Sequence, residues 1–257
     1  MLTEEQYQRT KIKQYADTVR YSWSQKGITD VIDILEELAI VIKTPYQNKD
    51  EELLSGFSTY IRKHFVVFIN TAYTGGHQRF TAAHELYHLI YDTEVLKREV
   101  ILPKETNNEK LANWFAVEFL MPEEGIIEYV HSRFQRPIQP KHIIRLHQHF
   151  KVSYKAMLKR ILQLNLIEKD EYDYLERFCS NEQEYIDKLL QLTTNEGLDI
   201  KLIQSTFEKN IPKRYLDVIR DNYEQGLISY HKFSSLLNLA DKSPIDYGYN
   251  APEEEVY

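Results

Sequence analysis

The chain has 257 residues, of which 42% are hydrophobic and 28% are charged, and its formal net charge is −7. This composition is typical of a soluble globular protein, and no run is apolar and long enough to predict a membrane-spanning helix. The single cysteine, Cys179, excludes an internal disulfide framework, and the N-terminus has no apolar signal segment, so we expect a cytoplasmic protein. For Cys179 itself, packing is the favoured role and a redox switch is the alternative.

The N-terminal part of the chain predicts mostly helix. Residues 3–43 look helical because Thr3 suits a helix cap and ITDVIDILEELAIVI (28–42) has apolar residues at helical spacing without a breaker. The polar stretch that follows, residues 44–63, predicts a loop.

A strand and a turn come next. HFVVFIN (64–70) is short, β-branched and aromatic, which predicts a strand. The pair Gly75-Gly76 predicts a turn over residues 71–78. Two helices are then expected, over 79–91 and over 107–120, and this order of elements is typical of a small α+β domain.

After Pro122 every predicted element is a helix. Residues 139–167 split into two helices around Lys151-Val152, with Ser153 as the cap of the second, which is compatible with a helix-turn-helix module. Further helices are expected over 181–192, over 199–209 and, on both sides of Gly226, over 211–239. We therefore predict an α+β domain over 1–130, a helix-turn-helix-like segment over 131–175, and a helical region with an irregular tail over 176–257.

Basic residues are concentrated in residues 133–160. The stretch from His131 to Ile167 contains no Asp or Glu, while eight cations fall within it. One interpretation is a set of solvated helix faces whose charges cancel in space. The other is a basic patch that contacts DNA or an acidic protein.

The stretch FTAAHELYHLIYD contains two histidines four residues apart, His84 and His88, and a glutamate, Glu85, directly after the first. Residues four apart lie on one face of a helix, so the two imidazoles can bind one Zn²⁺. Glu85 points beside the metal and can act as the general base.

A catalytic zinc site needs a third protein ligand and an open fourth position. Glu109 on the second helix is our choice, and Asn113, four residues later, could orient a ligating histidine. Glu118 lies on the opposite face of that helix, and Glu105 precedes the helix start. Asp92 is too far along the first helix to converge with both histidines.

Other candidates remain open at this stage. The edge of strand 64–70 could pair with an extended substrate, or it could be covered as in an ordinary core strand. An additional hydrogen-bond donor for the oxyanion is expected from one of four residues: Tyr60, Tyr73, His77 and His131. The spacing of His142, His147 and His149 favours surface histidines over a second metal site.

RFTAAHELYHLIYD and EKLANWFAVEFLMP (109–122) together resemble the ImmA/IrrE family of metallo-endopeptidases. The family pattern is a strand that ends in Asn, then RFT-x-AHE-x-x-H, then E-x-x-AN-x-FA-x-x-L-MP, and it is matched over about 64–122. Tyr87 departs from the pattern, because the family usually has glycine there. The resemblance continues more loosely into the helix-turn-helix-like segment and the C-terminal helices.

This resemblance implies a zincin-like fold with a small sheet and helices. It also implies zinc ligands His84, His88 and Glu109, the last of gluzincin type, and catalytic Glu85. Members of the family cleave helix-turn-helix repressors and thereby switch on genes of mobile elements, stress responses or defence. Mn²⁺ is the alternative metal. The alternative functions are a DNA-binding regulator, or an antitoxin-like binding protein with a non-catalytic metal site.

Overall fold

The computed structural model describes residues 3–47, 54–61, 63–98, 107–180 and 182–251. Within these residues the chain forms helices throughout its length and one small sheet. The helices are α1 Glu4–Ser24, α2 Val31–Leu38, α3 Gly75–Tyr91, α4 Thr93–Arg98, α5 Asn107–Leu120, α6 Glu123–Arg133, α7 Pro140–His149, α8 Tyr154–Gln163, α9 Lys169–Glu176, α10 Gln183–Asn195, α11 Lys213–Glu224 and α12 Tyr230–Asn238.

The sheet has three strands in the order β1-β3-β2, where β1 is Ile40–Thr44, β2 is Gly56–Ile61 and β3 is His64–Asn70. Strands β1 and β3 are parallel, and β2 is antiparallel to β3. The α+β class is therefore confirmed. Because β3 lies in the middle of the sheet, the interpretation of residues 64–70 as a covered core strand is confirmed, and the alternative that its edge pairs with a substrate is wrong.

Two stretches differ from the sequence-based prediction near this sheet. Residues 28–42 do not form one helix, since α2 ends at Leu38 and β1 begins at Ile40. The apolar spacing of residues 40–42 fits a helix. They form a strand instead, because they are buried and their backbone pairs with β3. Strand β2 lies where a loop was expected, and the intervening residues 48–53 are outside the described part.

The N-terminus of α3 also differs in detail. Gly75 and Gly76 form the first turn of the helix rather than a separate turn, and the Thr74 hydroxyl accepts a hydrogen bond from the His77 amide. A Cβ on Gly76 would lie 2.4 Å from the Ser153 nitrogen, and one on Gly75 would lie 2.5 Å from a carbonyl oxygen. Glycine is required here because two downstream segments touch the helix backbone.

Several predicted elements are confirmed. Strand 64–70 and helix 107–120 have the expected bounds, and residues 139–167 form α7 and α8. The Ser153 hydroxyl accepts a hydrogen bond from the Ala156 amide and caps α8. Gly226 lies between helices α11 and α12, as expected, and its φ of +68° is in the left-handed region that favours glycine. In contrast, residues 199–209 form only a short 3₁₀ turn, Ile200–Leu202, followed by irregular chain with an isolated bridge at Ser205.

Residues 204–210, which we call the strap, run across the end of the sheet. The Gly75 amide at the start of α3 donates to the carbonyl of Gln204. Asn210 exchanges two backbone hydrogen bonds with Lys43 on β1, at 2.7 and 3.0 Å. The strap thus pairs with the outer side of β1 and fixes the first turn of α3.

One hydrophobic core runs through most of the helices, from Ile12 on α1 to Leu175 on α9. A second, small cluster lies between α11 and α12 and contains Ile219, Phe233 and Leu237. Helices of the helix-turn-helix-like segment share the first core with the sheet and α3. The proposed division into three segments stays a prediction.

Among the described residues, no helix combines the length and the apolar character that a membrane crossing requires.

Candidate metal centre

Helices α3 and α5 bring three side chains together: His84, His88 and Glu109. Their ligand atoms all lie within 4.8 Å of one another. The Nε2 atoms of the two histidines are 3.1 Å apart, and the Glu109 carboxylate lies 3.1 Å from His84 Nε2 and 3.3 Å from His88 Nε2. This is the set chosen from the sequence.

These separations fit a tetrahedral metal ion. With bonds of about 2.0–2.1 Å, two ligands of tetrahedral Zn²⁺ are about 3.3 Å apart. Two imidazole nitrogens and a carboxylate are also a common donor set for a catalytic zinc, and three protein ligands leave one position open. The residues present therefore fit the metal that the sequence predicts.

The outer nitrogens of both histidines have oxygen partners. Asp92 accepts a hydrogen bond from His88 Nδ1 at 2.7 Å, and Asn113 Oδ1 lies 3.1 Å from His84 Nδ1. Because these oxygens accept, Nδ1 carries the proton on each ring and Nε2 is directed to the cluster. Asn113 thus lies where the sequence placed it.

Asp92 is a partner that the sequence analysis missed. It was considered only as a metal ligand, and the structure keeps it outside the three-residue cluster. Asp92 is four residues after His88 and therefore on the same helix face, which is the signal that could have assigned it to that ring. Asn108 donates to its second oxygen at 3.0 Å.

Charges in the cluster perturb its pKa values. Burial raises the pKa of Glu109, but hydrogen bonds and charges from His84 and His88 outweigh burial and lower it to about 2. Burial lowers the pKa of His88, but hydrogen bonds to Asp92 and Glu109 outweigh this and raise it to about 9. Because a histidine that binds a metal must give up the proton on its ligating nitrogen, a divalent cation at this position would displace a proton from His88.

Glu85 lies beside the cluster and is almost completely buried, with 5% of its surface exposed. Burial raises the pKa of its carboxyl group above the ordinary value, although the neighbouring histidines and a hydrogen bond from Ser58 act in the opposite direction. The Ser58 hydroxyl on β2 donates to Glu85 Oε2 at 2.6 Å. No local pattern could have identified Ser58, because the contact depends on the pairing of β2 with β3.

The four candidates for the oxyanion donor lie in different places. Tyr60 is two residues after Ser58 on β2, and therefore on the same face of the sheet. His77 is two helical turns, about 10 Å, before His84 on α3, and Tyr73 stacks on it. His131 is an exposed residue on α6. Of the four, Tyr60 shares a strand face with a residue that contacts Glu85.

The rival carboxylates are excluded or fall outside the structure. Glu118 faces away from the cluster and forms an ion pair with Arg160 at 2.7 Å. Glu105 lies outside the described residues. Tyr87, the departure from the family pattern, is 4% exposed and packs on Phe115 with ring centres 5.7 Å apart.

The basic stretch 133–160 is partly neutralised. Four of its eight cations form ion pairs with acidic side chains, and these are Arg136–Glu171, Arg145–Glu196, Lys151–Asp30 and Arg160–Glu118. The start of α8, which would enter DNA in a helix-turn-helix protein, packs against Gly76 of α3. Lys155 and Lys159 remain exposed on α8.

The histidines of this stretch do not form a metal cluster in the described part of the chain. His142 stacks on Phe134 and His149 packs at a tilt against Tyr129, whereas His147 is fully buried. The prediction of surface histidines is therefore wrong for His147. Cys179 is partly buried against the core, and burial raises the pKa of its thiol to about 11, which agrees with a packing role.

Comparison with known proteins identifies the family. Residues 35–162 match the model Peptidase_M78, the IrrE N-terminal-like domain, and the match extends from α2 to α8. No curated protein gives a significant match. Among solved structures, a Mycobacterium tuberculosis transcriptional regulator is similar at 14% identity and a TM-score of 0.39, over 59% of this chain and 46% of that chain. This chain thus spans less than half of that regulator, and a similarity so distant carries no functional argument. Through residues 35–162, the chain belongs to the Peptidase_M78 family of IrrE N-terminal-like domains.

Proposed function

We propose that the chain is a metal-dependent endopeptidase in which His84, His88 and Glu109 bind Zn²⁺, with Mn²⁺ as the alternative ion. The observation that carries this proposal is the convergence of two Nε2 atoms and a carboxylate at separations of 3.1–3.3 Å, with Glu85 next to them. When bound, the ion would polarise the scissile carbonyl and lower the pKa of a water molecule.

Glu85 is the proposed general base. It takes the proton of the water whose oxygen attacks the carbonyl carbon, and passes that proton to the amide nitrogen as the carbon–nitrogen bond breaks. Ser58 holds one oxygen of this carboxylate, which fixes the direction of the group. Tyr60 is the proposed donor to the oxyanion, since its hydroxyl is the side-chain donor on the same strand face as Ser58.

Strand β2 is the proposed guide for the substrate backbone. It is an outer strand of the sheet, and its face lies along α3, with Gly56 against Thr81 and Ser58 against Glu85. An extended peptide paired with β2 would pass beside the metal cluster. The outer side of β1, in contrast, is paired with the strap.

The proposed substrate is a helix-turn-helix transcriptional repressor, whose cleavage would derepress mobile-element, stress-response or defence genes. The support for this substrate is the family resemblance alone. A peptide with an extended segment between folded parts would fit the path along β2.

The alternative functions are a DNA-binding regulator, or an antitoxin-like protein with a non-catalytic metal site. The ion pairs of the basic stretch and the packing of α8 on α3 weigh against the first. Salt-dependent DNA binding that disappears in a Lys155→Gln, Lys159→Gln variant would favour it.

The test begins with metal content, measured by elemental mass spectrometry on chains purified without chelators. We expect about one zinc per wild-type chain, its loss in Glu109→Ala, and its retention in Glu85→Gln and in the exposed-carboxylate control Glu128→Ala. A proteome-derived peptide library is then incubated with each protein, and cleavage is detected by mass spectrometry.

The peptidase proposal requires cleavage by the wild type and by Glu128→Ala, and none by Glu85→Gln. Absence of metal from the wild type after reconstitution with Zn²⁺ or Mn²⁺ would refute it. Metal binding without cleavage of any peptide would leave the non-catalytic alternatives.

A further inference from the structure

Aromatic side chains continue the face of α3 that carries His84. His77 lies seven residues before His84, nearly two full turns, so its ring projects from the same face about 10 Å away. Phe80 lies between them on this face. Tyr73, just before the helix, stacks on His77 with ring centres 4.2 Å apart and planes 9° from parallel. We call Tyr73, His77 and Phe80 the aromatic platform.

All three residues of the aromatic platform are half-buried, so each has both packing contacts and an accessible side. In the second half of α3, His88 is 2% exposed and Tyr91 stacks on Tyr15 of α1. The accessible part of this helix face therefore runs from His84 towards the N-terminus of α3. The aromatic platform is continuous with the proposed active site.

The backbone under the aromatic platform is held from several sides. Thr74 caps the helix through the His77 amide, and the strap accepts a hydrogen bond from the Gly75 amide at 3.2 Å. The carbonyl of Tyr73 accepts a hydrogen bond from the Gln78 side chain at 2.7 Å. Such a fixed surface loses little conformational entropy when a ligand binds.

The chemistry of the aromatic platform is apolar. Two stacked rings present a flat face, and Phe80 adds a hydrocarbon edge. Burial lowers the pKa of His77 below its ordinary value, so the ring is neutral at neutral pH. An aromatic or large aliphatic side chain can stack on this surface and bury apolar area there.

The spacing assigns a position in the substrate. An extended peptide advances about 3.3 Å per residue, so the distance of about 10 Å between His77 and His84 along α3 corresponds to three residues of the substrate. We propose that the aromatic platform is a specificity subsite for a large apolar or aromatic side chain three residues from the scissile bond. This inference rests on the proposed peptidase function and defines its substrate class.

The first experiment uses the full-length, zinc-loaded chain and the proteome-derived peptide library. We expect Phe, Tyr, Leu or Met to be enriched three residues from the cleaved bond, on one side of it. For a matched pair of peptides with Phe or Ala at that position, the ratio of kcat/KM should fall about tenfold in Tyr73→Ala and in His77→Ala. The exposed tyrosine of α1, in Tyr21→Ala, is the matched control and should leave the ratio unchanged.

A second experiment measures binding without turnover. Fluorescence anisotropy of the labelled Phe peptide is recorded on Glu85→Gln and on the double variant Glu85→Gln, Tyr73→Ala. The double variant should bind the Phe peptide about tenfold more weakly and the Ala peptide with little change. Tyr73→Leu, which keeps an apolar side chain, should recover part of the affinity and guards against a folding defect of the alanine variant.

The outcomes separate this inference from the proposed function. If the wild type cleaves no peptide of the library, both are overturned. If it cleaves peptides without enrichment at the third residue, or if the preference survives in Tyr73→Ala and His77→Ala, the subsite is refuted and the peptidase stands.

Discussion

Asp92 and Asn113 hold the two clustered histidines by different chemistry. A buried carboxylate accepts from His88 at 2.7 Å, whereas an exposed amide lies 3.1 Å from His84. Hydrogen bonds to charged acceptors are shorter and stronger than those to neutral ones. Asp92 should therefore contribute more to metal affinity than Asn113 does.

Replacing Asp92 by Ala should weaken zinc binding by about 10–100-fold, because His88 loses the group that orients its ring and raises its basicity. Asp92→Asn keeps an acceptor and should show a smaller loss. Competition with a fluorescent chelator measures these affinities, and Asp33→Ala, an exposed carboxylate on α2, is the control. Equal affinities for Asp92→Ala and the wild type would contradict the assigned role.

Single residues also show what spacing along the chain can predict. His84 and His88 are four apart on one helix, and Glu109 and Asn113 are four apart on another, so spacing predicts that each pair shares a face. That the two pairs face each other is a contact between helices, which the structure supplies. Ser58 could not be predicted, because it reaches Glu85 only through the order of strands in the sheet. Contacts across elements depend on topology, which spacing does not contain.

His147 is a buried residue with a pH-dependent effect on stability. Its Nδ1 donates to the carbonyl of Val152 at 3.0 Å, and burial lowers its pKa from 6.5 to about 4. As pH falls from 6.5 towards 4, the unfolded chain binds a proton that the folded chain does not. Stability is therefore lost in this window, by up to about 3 kcal/mol.

The His147→Phe variant should show a smaller loss of stability between pH 6.5 and 4 than the wild type. Urea unfolding at several pH values on the metal-free chains measures the difference, and the exposed His131→Asn serves as control. Parallel curves for wild type and His147→Phe would contradict this prediction.

At the scale of elements, the start of α3 depends on segments far along the chain. Gly76 lies against the turn between α7 and α8, where a Cβ would be 2.4 Å from Ser153 N and 2.6 Å from Val152 C. Backbone atoms cannot move aside as the end of a flexible side chain can. Helix α3 and the helix-turn-helix-like pair are thus packed without a layer of side chains between them.

Gly76→Ala should destabilise the fold by about 1–3 kcal/mol, as overpacking of a dense interior does. Gly125→Ala in helix α6 is the matched control, because its Cβ would meet nothing closer than 3.5 Å. That change should be neutral or stabilise by up to about 1 kcal/mol. Urea midpoints measure both, and equal midpoints for the two variants would contradict the close backbone contact at Gly76.

The errors in element prediction have a physical cause. Ile40, Val41 and Ile42 continue an apolar helical spacing, yet they form β1 because β3 offers them backbone partners. Strand β2 was predicted to be a loop, because its sequence GFSTYI combines polar and apolar residues and the residues before it are mostly polar. Helix α5, in contrast, was predicted with its correct bounds, since Pro122 ends it whatever its neighbours are.

At the scale of the whole molecule, two hydrophobic clusters differ in their relation to the candidate metal centre. Phe115 belongs to the large core and packs on Tyr87 and Tyr91 of α3. Phe233 belongs to the small cluster of α11 and α12, where it stacks on Tyr223 with centres 4.5 Å apart. Loss of the Phe115 ring should therefore disturb the candidate metal centre, whereas loss of the Phe233 ring should not.

Phe233→Ala should cost about 3–5 kcal/mol within its own cluster. Amides of residues 213–238 should then exchange rapidly with deuterium while zinc stays bound. Phe115→Ala, also fully buried, should release zinc as well. Hydrogen-exchange mass spectrometry and elemental analysis on the same samples provide the measurement. Zinc loss in Phe233→Ala would mean that the two clusters unfold together.

The strap has a consequence for the order of events during translation. The Thr71 hydroxyl donates to the carbonyl of Glu208, across 137 residues of sequence. At about 5–20 residues per second, a ribosome delivers that carbonyl roughly 7–27 s after Thr71. For that interval the nascent chain carries helix α3 without its last backbone partners, and β1 has an unpaired outer side that other nascent chains can reach. The rate of elongation through this segment therefore sets how long each new molecule is exposed to mispairing.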